Sequence, residues 1–358
     1  MTGATGWASF DGRVATDAVE CVDVLEQPER LETGTWFVVA DFEGRARAWR
    51  FARVHDAVDA PAGASTRWHG PPSETWTSSM DQAAYEAAVE RVREYVRDGE
   101  VYQANICRVL SAPLAAGADA AGRLAEPDAR ALAARLAAGN PAPHAAAVHV
   151  PATSGLDPVW VVSASPELYL AVSDGPDGTF VESGPIKGTA RTPDGLTEKD
   201  RAENVMITDL VRNDLQTVSR PGTVAVTSLL AVEQHPGLVH LVSRVRGTLA
   251  DDVVRPGELW RRLLAGTFPP GSVSGAPKSS ALRIIRELET APRGPYCGAV
   301  GWVDGGRASL AVGIRTFWWA DGVLRFGTGA GITWGSDPTA EWHETELKAE
   351  RLVALASS

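Results

Sequence analysis

Lys187 is the only lysine in the stretch 180–195, which reads FVESGPIKGTARTPDG. A lysine on an ordinary loop is solvated and mobile, but Pro185 and Gly188 flank this one and favour a fixed backbone. A lysine whose position is fixed can act as a nucleophile, or as a cation that orients a substrate. Lys187 is therefore the first candidate for a catalytic group.

Acidic side chains on two predicted helices could hold a metal ion. In 199–215, KDRAENVMITDLVRNDL, Asp200 and Glu203 lie about one turn apart, opposite an apolar stripe. The segment 336–355 carries charges at spacings of three and four, namely Glu341, Glu344 and Lys348. Mg²⁺ keeps several waters and needs few carboxylates, which often come from different elements. The alternative is that each stripe is a solvated helix face.

Three short motifs do not carry the chemistry that they suggest. GSVSGAPKSS lacks the glycine-lysine step of a phosphate loop, so nucleotide binding is not predicted there. FGTGAGI lacks the register and the βα setting of a dinucleotide fold. WHETELKA has leucine where a zinc protease needs its second histidine.

The elements that must position these residues come in blocks, without regular βα alternation, which favours an α+β fold. Short strands fill residues 1–75, which we take as an N-terminal segment, and a Pro/Gly/Ser-rich linker is predicted at 61–74. Residues 76–358 form the predicted catalytic domain. Its predicted elements are a helix at 81–99, strands at 101–110, 145–150 and 158–164, a helix at 128–139, and an antiparallel meander at 296–332.

Composition limits the function classes. The chain has 358 residues, 44% of them apolar, and a net charge of -11 with a pI near 5.2. This balance argues against a nucleic-acid or an acidic-membrane surface, because both need clustered positive potential. Three widely spaced cysteines without a CxxC pair indicate neither a disulfide framework nor a zinc site, which fits a reducing cytoplasm. No targeting or membrane-spanning segment is expected.

Ten motifs, in order, resemble the chorismate-utilising enzymes, a family that includes anthranilate synthase component I, aminodeoxychorismate synthase component I, and isochorismate and salicylate synthases. They are VYQANICRVL, SASPELYL, PIKGTARTPDG, DRAENVMITDLVRNDL, VHLVSRVRGTL, FPPGSVSGAPKSSALRIIRELE, YCGAVGWV, GIRT, GTGAGI and EWHETELKAERL. The resemblance implies two antiparallel sheets packed as a sandwich, with helices outside and the active site between them.

Two positions separate the chemistries within this family. Isochorismate and salicylate synthases resemble one another in having a water-activating lysine where this chain has Gln103. Aminodeoxychorismate synthases show lysine in the PI-x-GT motif, as this chain does at Lys187, whereas anthranilate synthases show alanine. The resemblance implies that Lys187 attacks C2 of chorismate and expels the C4 hydroxyl, after which ammonia displaces the enzyme at C4. The alternative is that Lys187 only orients the substrate or bonds the leaving hydroxyl.

The resemblance also implies roles for acidic residues. Glu167 matches the general acid that protonates the leaving hydroxyl, with a turn acid that caps a backbone N–H as the alternative. Glu203 and Glu344 match the Mg²⁺ ligands, with Glu341 and Asp200 ligating through water.

Further positions match residues that bind the substrate. The carboxylates would be held by side chains and by backbone N–H groups at two glycines: Arg315, Tyr296, Lys348, Gly329 and Gly331. Other substrate contacts are implied for Gly188, Thr189, His240 and Ser272. Arg315 could equally be a sheet-edge charge, and His240 and Ser272 could be structural.

The implied function is that of the chorismate-aminating subunit of 4-amino-4-deoxychorismate synthase, leading to p-aminobenzoate and folate or to a specialised product. The sequence lacks a GxCxG-type glutaminase motif, so a separate glutamine amidotransferase subunit is expected to supply ammonia. The nearest alternative is anthranilate or 2-amino-2-deoxyisochorismate synthesis. A non-catalytic effector-binding relative is the alternative from another class, and the paired Mg²⁺ ligands argue against it.

Overall fold

The structure of the chain is a computed structural model that describes residues 6–56, 67–115, 117, 125–235 and 238–358. Residues 61–66 of the predicted linker lie outside the described part. The side chain of Thr189, a predicted substrate contact, lies outside it as well.

The strands of the described residues are mostly apolar runs whose side chains are buried on at least one face. In chain order they are β1 Trp7–Phe10, β2 Arg13–Asp23, β3 Thr35–Ala40, β4 Ala46–Asp56, β5 Thr77–Ser78, β6 Gln103–Pro113, β7 His144–Val150, β8 Val159–Ser165, β9 Leu168–Gly175, β10 Gly178–Gly184, β11 Ile186–Ala190, β12 Ala225–His235, β13 Leu238–Thr248, β14 Gly275–Ala276, β15 Ala299–Asp304, β16 Arg307–Val312, β17 Thr316–Ala320 and β18 Val323–Ile332. The predicted meander is wrong in its middle: β15 and β16 form one hairpin and β17 and β18 form another, because the hairpin pattern breaks between β16 and β17, which pair with β9 and β8 respectively.

The α-helices of the described residues are α1 Gln82–Arg97, α2 Ala129–Gly139, α3 Glu198–Gln216, α4 Leu259–Thr267, α5 Lys278–Leu288 and α6 Pro338–Ala356. Four of these six helices begin at a residue whose side chain caps the first turn, and α4 and α5 begin without such a cap. Asp81 caps α1 by accepting a hydrogen bond from Ala84 N, and Asp337 caps α6 by accepting one from Ala340 N. Both acidic segments are therefore helices, as predicted, in α3 and α6.

Every pairing between the described strands is antiparallel, which confirms the α+β prediction. Hydrogen bonds link the eighteen strands into one continuous sheet. The two predicted sheets are joined through β1, which pairs with β2 of one sheet and with β7 of the other. The division at residue 75 stays a prediction, and strands on either side of it pair with one another.

The helices that carry charge pack on the strands that carry the other candidate residues. β18 pairs with β6 along its whole length, from Val323 opposite Pro113 to Ile332 opposite Ala104. Helix α6 packs on β18 and α1, and α3 packs on β11 and β13. A central region is thereby enclosed by β6, β11, β18, α3 and α6.

Two tryptophans fix the C-terminal end of α6. The indole Nε1 of Trp68 donates to the carbonyl oxygen of Ala356 at 2.8 Å, and that of Trp76 donates to Ser357 Oγ at 3.1 Å. Trp68 is buried against α2 and α6. These contacts hold the C-terminal end of α6 in place.

Candidate active site

Lys187 lies on β11 beside an irregularity in the sheet. The pairing of β11 with β13 shifts register between Ile186 and Thr189, as in a β-bulge, which changes the direction of a side chain. Gly188 adopts a φ of +81°, and a Cβ atom there would lie 2.8 Å from Asp200 Cβ. Only glycine suits this close approach of β11 to α3, and the fixed backbone around Lys187 stays a prediction.

The ammonium group of Lys187 points toward β18 and β6. A Cβ atom at Gly331 would lie 3.6 Å from Lys187 Nζ and 2.1 Å from Gln103 Nε2. Lys187 is half-buried, and its charge acts on the carboxyl groups of Glu167 and Glu203. The lysine therefore lies among the predicted acid, a predicted metal ligand and the glycine strand.

Glu167 is 4% exposed, at the junction of β8 and β9. Burial raises the pKa of its carboxyl to about 7, although the Ser272 hydroxyl, the Lys187 ammonium and the Ile186 N–H all favour the charged form. A carboxyl group with a pKa near 7 can hold and release a proton at neutral pH. The hydrogen bond from Ile186 fits the capping alternative, but the contacts with Ser272 and Lys187 place Glu167 within the candidate site.

Carboxylates of α3 and α6 face one another around lysine side chains. Lys199 Nζ lies 3.7 Å from Glu203 Oε1 and 3.4 Å from Glu341 Oε1, and Lys348 Nζ lies 2.6 Å from Glu344 Oε1. Burial, together with the charges of Glu344 and Glu341, raises the pKa of Glu203 despite nearby lysines. Burial also acts on Glu344, but the ammonium groups of Lys348, Lys199 and Lys187 together outweigh it and lower the pKa of this carboxyl. Lys199 was not selected as a candidate, because its contact with Glu341 depends on the packing of α3 beside α6.

The donor chemistry of Glu203 and Glu344 fits a hard divalent cation. Both carboxylates are partly buried, they come from separate helices, and the charge of Glu344 disfavours ionisation of Glu203. A cation bound to both would remove that repulsion. Within the described ranges, no group of three or more histidine, cysteine, aspartate or glutamate side chains forms a metal centre.

Asp200 caps the start of helix α3. Its Oδ2 atom accepts hydrogen bonds from the N–H and the hydroxyl of Thr197, at 2.8 and 2.7 Å, while Asp200 N donates to the Thr197 hydroxyl oxygen. This is a capping box at the start of α3. The predicted contact of Asp200 with a metal through water stays a prediction.

Arg315 lies between β16 and β17 and takes a φ of +53°, an uncommon conformation for a residue with a side chain. Burial lowers the pKa of its guanidinium group. Within the part of the chain that the structure describes, no carboxylate lies within ion-pair distance of it. A half-buried guanidinium without an acidic partner is suited to a carboxylate ligand.

The two glycines predicted to admit an anion face side chains of β6. A Cβ atom at Gly329 would lie 2.5 Å from Cys107 Sγ, and one at Gly331 would meet the amide of Gln103. The Gly329 carbonyl oxygen accepts a hydrogen bond from Lys348 Nζ at 3.0 Å, which ties α6 to β18. Contacts of these glycines and of Lys348 with substrate stay predictions.

The remaining predicted contacts separate into two groups. Ser272 bonds the carboxyl group of Glu167 and so belongs to the site. His240 is 1% exposed on β13, opposite Thr189. Tyr296 is 5% exposed, and its hydroxyl lies 3.8 Å from Cys107 Sγ in a buried cluster. The roles of His240 and Tyr296 in substrate binding stay predictions.

Gln103 is 2% exposed, and among the described residues its Nε2 and Oε1 atoms have no hydrogen-bond partner. An unpaired buried amide is costly unless a ligand or water satisfies it. Sequence reasoning noted Gln103 only as a replacement for lysine. The sequence pattern that could have marked Gln103 as a site residue is a polar side chain at the start of an apolar strand.

Comparison with known proteins agrees with this geometry. A family profile described as chorismate binding enzyme matches residues 6–354. The chain therefore belongs to the chorismate binding enzyme family, as its motifs predicted.

Named relatives divide between two activities. The chain is 36% identical to an anthranilate synthase component 1 of Haloarcula marismortui, over 98% of this chain and 75% of that protein. It is 36% identical to the anthranilate synthase component 1 of Streptomyces coelicolor, over 86% of this chain and 59% of that protein. It is 38% identical to an aminodeoxychorismate synthase of Streptomyces pristinaespiralis, over 75% of this chain and 36% of that protein.

Solved structures support the fold. Anthranilate synthase component I from Streptococcus pneumoniae gives a TM-score of 0.75 at 22% identity, covering 98% of this chain and 91% of that chain. The menaquinone-specific isochorismate synthase MenF from Escherichia coli gives 0.76 at 19% identity, covering 99% and 89%. In the described residues, no helix is both long and apolar enough to cross a membrane.

Proposed function

We propose that the chain aminates chorismate at C4 and forms 4-amino-4-deoxychorismate. The observation that carries this proposal is the position of Lys187, directed by the irregularity of β11 toward Gly331 and close enough to act electrostatically on Glu167 and Glu203. A primary amine next to a proton donor and a predicted metal-binding carboxylate can perform an allylic substitution. Anthranilate synthases, by resemblance, have no amine at this position.

In the proposed reaction the neutral amine of Lys187 forms a bond to C2 of chorismate. The ring double bonds shift, the C4–O bond breaks, and Glu167 gives its proton to the leaving hydroxyl, which departs as water. Ammonia then forms a bond to C4, the double bonds shift back, and the bond between C2 and Lys187 breaks. The nitrogen bound to C2 gives one proton to the Glu167 carboxylate, and the nitrogen bound to C4 gives one proton to the departing lysine. Overall, chorismate and ammonia give product and water.

The remaining groups bind and orient the substrate. The guanidinium group of Arg315 pairs with a substrate carboxylate, and the unpaired amide of Gln103 hydrogen-bonds to polar atoms of the substrate or the nucleophile. Glu203 and Glu344 hold Mg²⁺, with Glu341 assisting. When bound, the ion supplies positive charge for the ring carboxylate.

Ammonia is supplied by a glutamine amidotransferase subunit in this proposal, because the sequence has no glutaminase nucleophile motif. The enzyme then works in a reducing cytoplasm, in p-aminobenzoate and folate synthesis or in a specialised pathway. Purified chain should form product from chorismate, Mg²⁺ and ammonium at alkaline pH, but not when glutamine replaces ammonium. Product formation from glutamine by the chain alone would refute the need for a partner.

A second candidate is anthranilate synthesis, which is favoured by the names of several relatives that match most of this chain. The two activities place nitrogen at different carbons, para or ortho to the ring carboxylate. Proton NMR of the product formed with ¹⁵N-ammonium identifies the carbon that bears nitrogen. Nitrogen at C4 supports the proposal, whereas nitrogen at C2, or anthranilate with free pyruvate, establishes the second candidate. Absence of any turnover would favour a non-catalytic relative.

The covalent step has its own test. Wild-type enzyme quenched with chorismate and Mg²⁺ in the absence of ammonia should carry an adduct on the peptide that contains Lys187. If C4 amination occurs but no adduct forms and Lys187→Ala turns over at the wild-type rate, ammonia attacks C4 directly.

A further inference from the structure

A buried ion pair lies behind the general acid, and neither of its two side chains has a role in the proposed reaction. Lys278 at the start of α5 donates from Nζ to Asp214 Oδ2 on α3, at 2.6 Å, and to the Thr267 carbonyl oxygen, at 3.0 Å. The side chains of Asp214 and Lys278 are 12% and 18% exposed. A pair this buried is costly to build, so its place in the molecule needs an explanation.

The pair lies next to the segment that carries Ser272, and it is linked through Thr267 to the strand that follows Glu167. A Cβ atom at Gly271 would lie 3.6 Å from Asp214 Oδ2, and the next residue, Ser272, supplies the hydroxyl that bonds Glu167. The hydroxyl group of Thr267 lies 2.6 Å from that of Tyr169, and Tyr169 lies on β9, two residues after Glu167. The ion pair therefore lies behind both Glu167 and Ser272, the residue that donates a hydrogen bond to this carboxyl group.

A small cavity lies between the ion pair and the acid. It has room for about one water molecule, about 10 Å³, and Glu167, Tyr169, Asp214, Thr267 and Ser272 are among its lining residues. Charges separated by so little water are poorly screened, so a change of net charge at the pair will act on Glu167.

We propose that Asp214 is a positioning residue for Glu167: by neutralising Lys278, it keeps a positive charge from acting on the acid from behind, so that Glu167 retains its proton at neutral pH. This inference rests on the proposed role of Glu167 as general acid. The charged group that faces Glu167 from the substrate side is Lys187, and the one that faces Asp214 is Lys278. Burial raises the pKa of Asp214 to about 6 against the effect of Lys278, so Asp214 is ionised above neutral pH.

The test is the pH profile of kcat/KM for chorismate consumption, measured in the complete chain with Mg²⁺ and ammonium. A general acid loses activity as pH rises through its pKa, so the wild-type profile should fall above about pH 7. Asp214→Asn leaves the charge of Lys278 uncompensated, favours the Glu167 carboxylate, and should move this fall to lower pH by on the order of one unit. Lys278→Met removes the cation that favours the Asp214 carboxylate, and whatever negative charge Asp214 still carries then disfavours the Glu167 carboxylate, so the fall in kcat/KM should move to higher pH.

Two further variants separate electrostatics from loss of structure. The double variant Asp214→Asn/Lys278→Met restores neutrality and should return the fall toward the wild-type pH. Asp209→Asn removes a carboxylate of the same helix that is 68% exposed and pairs with Arg212, and should leave the profile unchanged. If Asp214→Asn does not fold, the pH at which kcat/KM falls should still move in Lys278→Met and return in the double variant.

Failure of this inference differs from failure of the proposed function. Chorismate consumption is measured whichever carbon is aminated, so an ortho product leaves the test intact. A wild-type profile without an alkaline fall would refute the acid role of Glu167. A wild-type fall that shifts in the same direction in both single variants, or in neither, would overturn the role of Asp214.

Discussion

Replacing Glu167 with glutamine should stabilise the fold at alkaline pH while it removes the acid of the proposed reaction. Burial raises the pKa of this carboxyl from 4.5 to about 7. Between these two values the unfolded chain ionises at this position but the folded chain keeps the proton, so stability falls as pH rises. One pKa unit corresponds to about 1.4 kcal/mol, and the full cost above pH 7 is therefore roughly 3 kcal/mol.

The assay is urea unfolding of the wild-type chain and of Glu167→Gln, at pH 5 and at pH 8. The difference in the free energy of unfolding should move by about 2–3 kcal/mol in favour of the variant between the two pH values. Groups common to both chains cancel in this difference. Glu198→Gln, on a side chain that is 96% exposed, should show no such change. An equal difference between wild type and Glu167→Gln at both pH values would refute the argument from burial.

Three further results are expected. Lys187→Ala should lower amination by a factor on the order of 10²–10⁴ with a much smaller change in the chorismate Kd, and equal losses in kcat and affinity would contradict a catalytic role. Glu203→Gln should weaken Mg²⁺ binding at least about tenfold in calorimetry without substrate, whereas Glu198→Gln should not, and unchanged binding would remove Glu203 from the ligand set. Gly331→Ala brings a methyl group to within 2.1 Å of a buried amide nitrogen and 3.6 Å of the lysine nitrogen, so kcat/KM should fall by about 10- to 100-fold. Gly335→Ala, which has nothing within 4 Å, is its matched control, and equal activity of these two variants would show that the space at Gly331 is unimportant.

Local patterns predicted much of the fold. The apolar spacing of α1, the cap and proline that begin α6, and the glycine turns within the predicted meander are signals within a few residues of one another, and the structure confirms them. Helix α4 and the long hairpin of β12 and β13 were not predicted. Their stability comes from packing against α3 and β10, partners that are distant in sequence.

The candidate site was less accessible to sequence reasoning, because its geometry depends on contacts between distant elements. The resemblance placed Lys187, Glu167 and Glu203 in one site, and the structure brings both carboxyl groups within electrostatic reach of Lys187. The spacing of four between Lys199 and Glu203 was readable in the sequence, whereas the second carboxylate, Glu341, comes only from the packing of α3 beside α6. The cap at Asp200 had a readable signal, because the segment 197–200 reads TEKD, a capping-box pattern.

The fixing of α6 by Trp68 also affects the order in which the enzyme matures. The contact between Trp68 and Ala356 spans 288 positions of the chain, so it forms only after nearly all of the described chain has been synthesised. Helix α6 brings Glu341 and Glu344, which follow every other candidate site residue except Lys348 in the order of translation. The carboxylates of α6 therefore join Lys187 and Glu167 only when this helix packs on β18 and α1. Docking of the last helix is the step that completes the site.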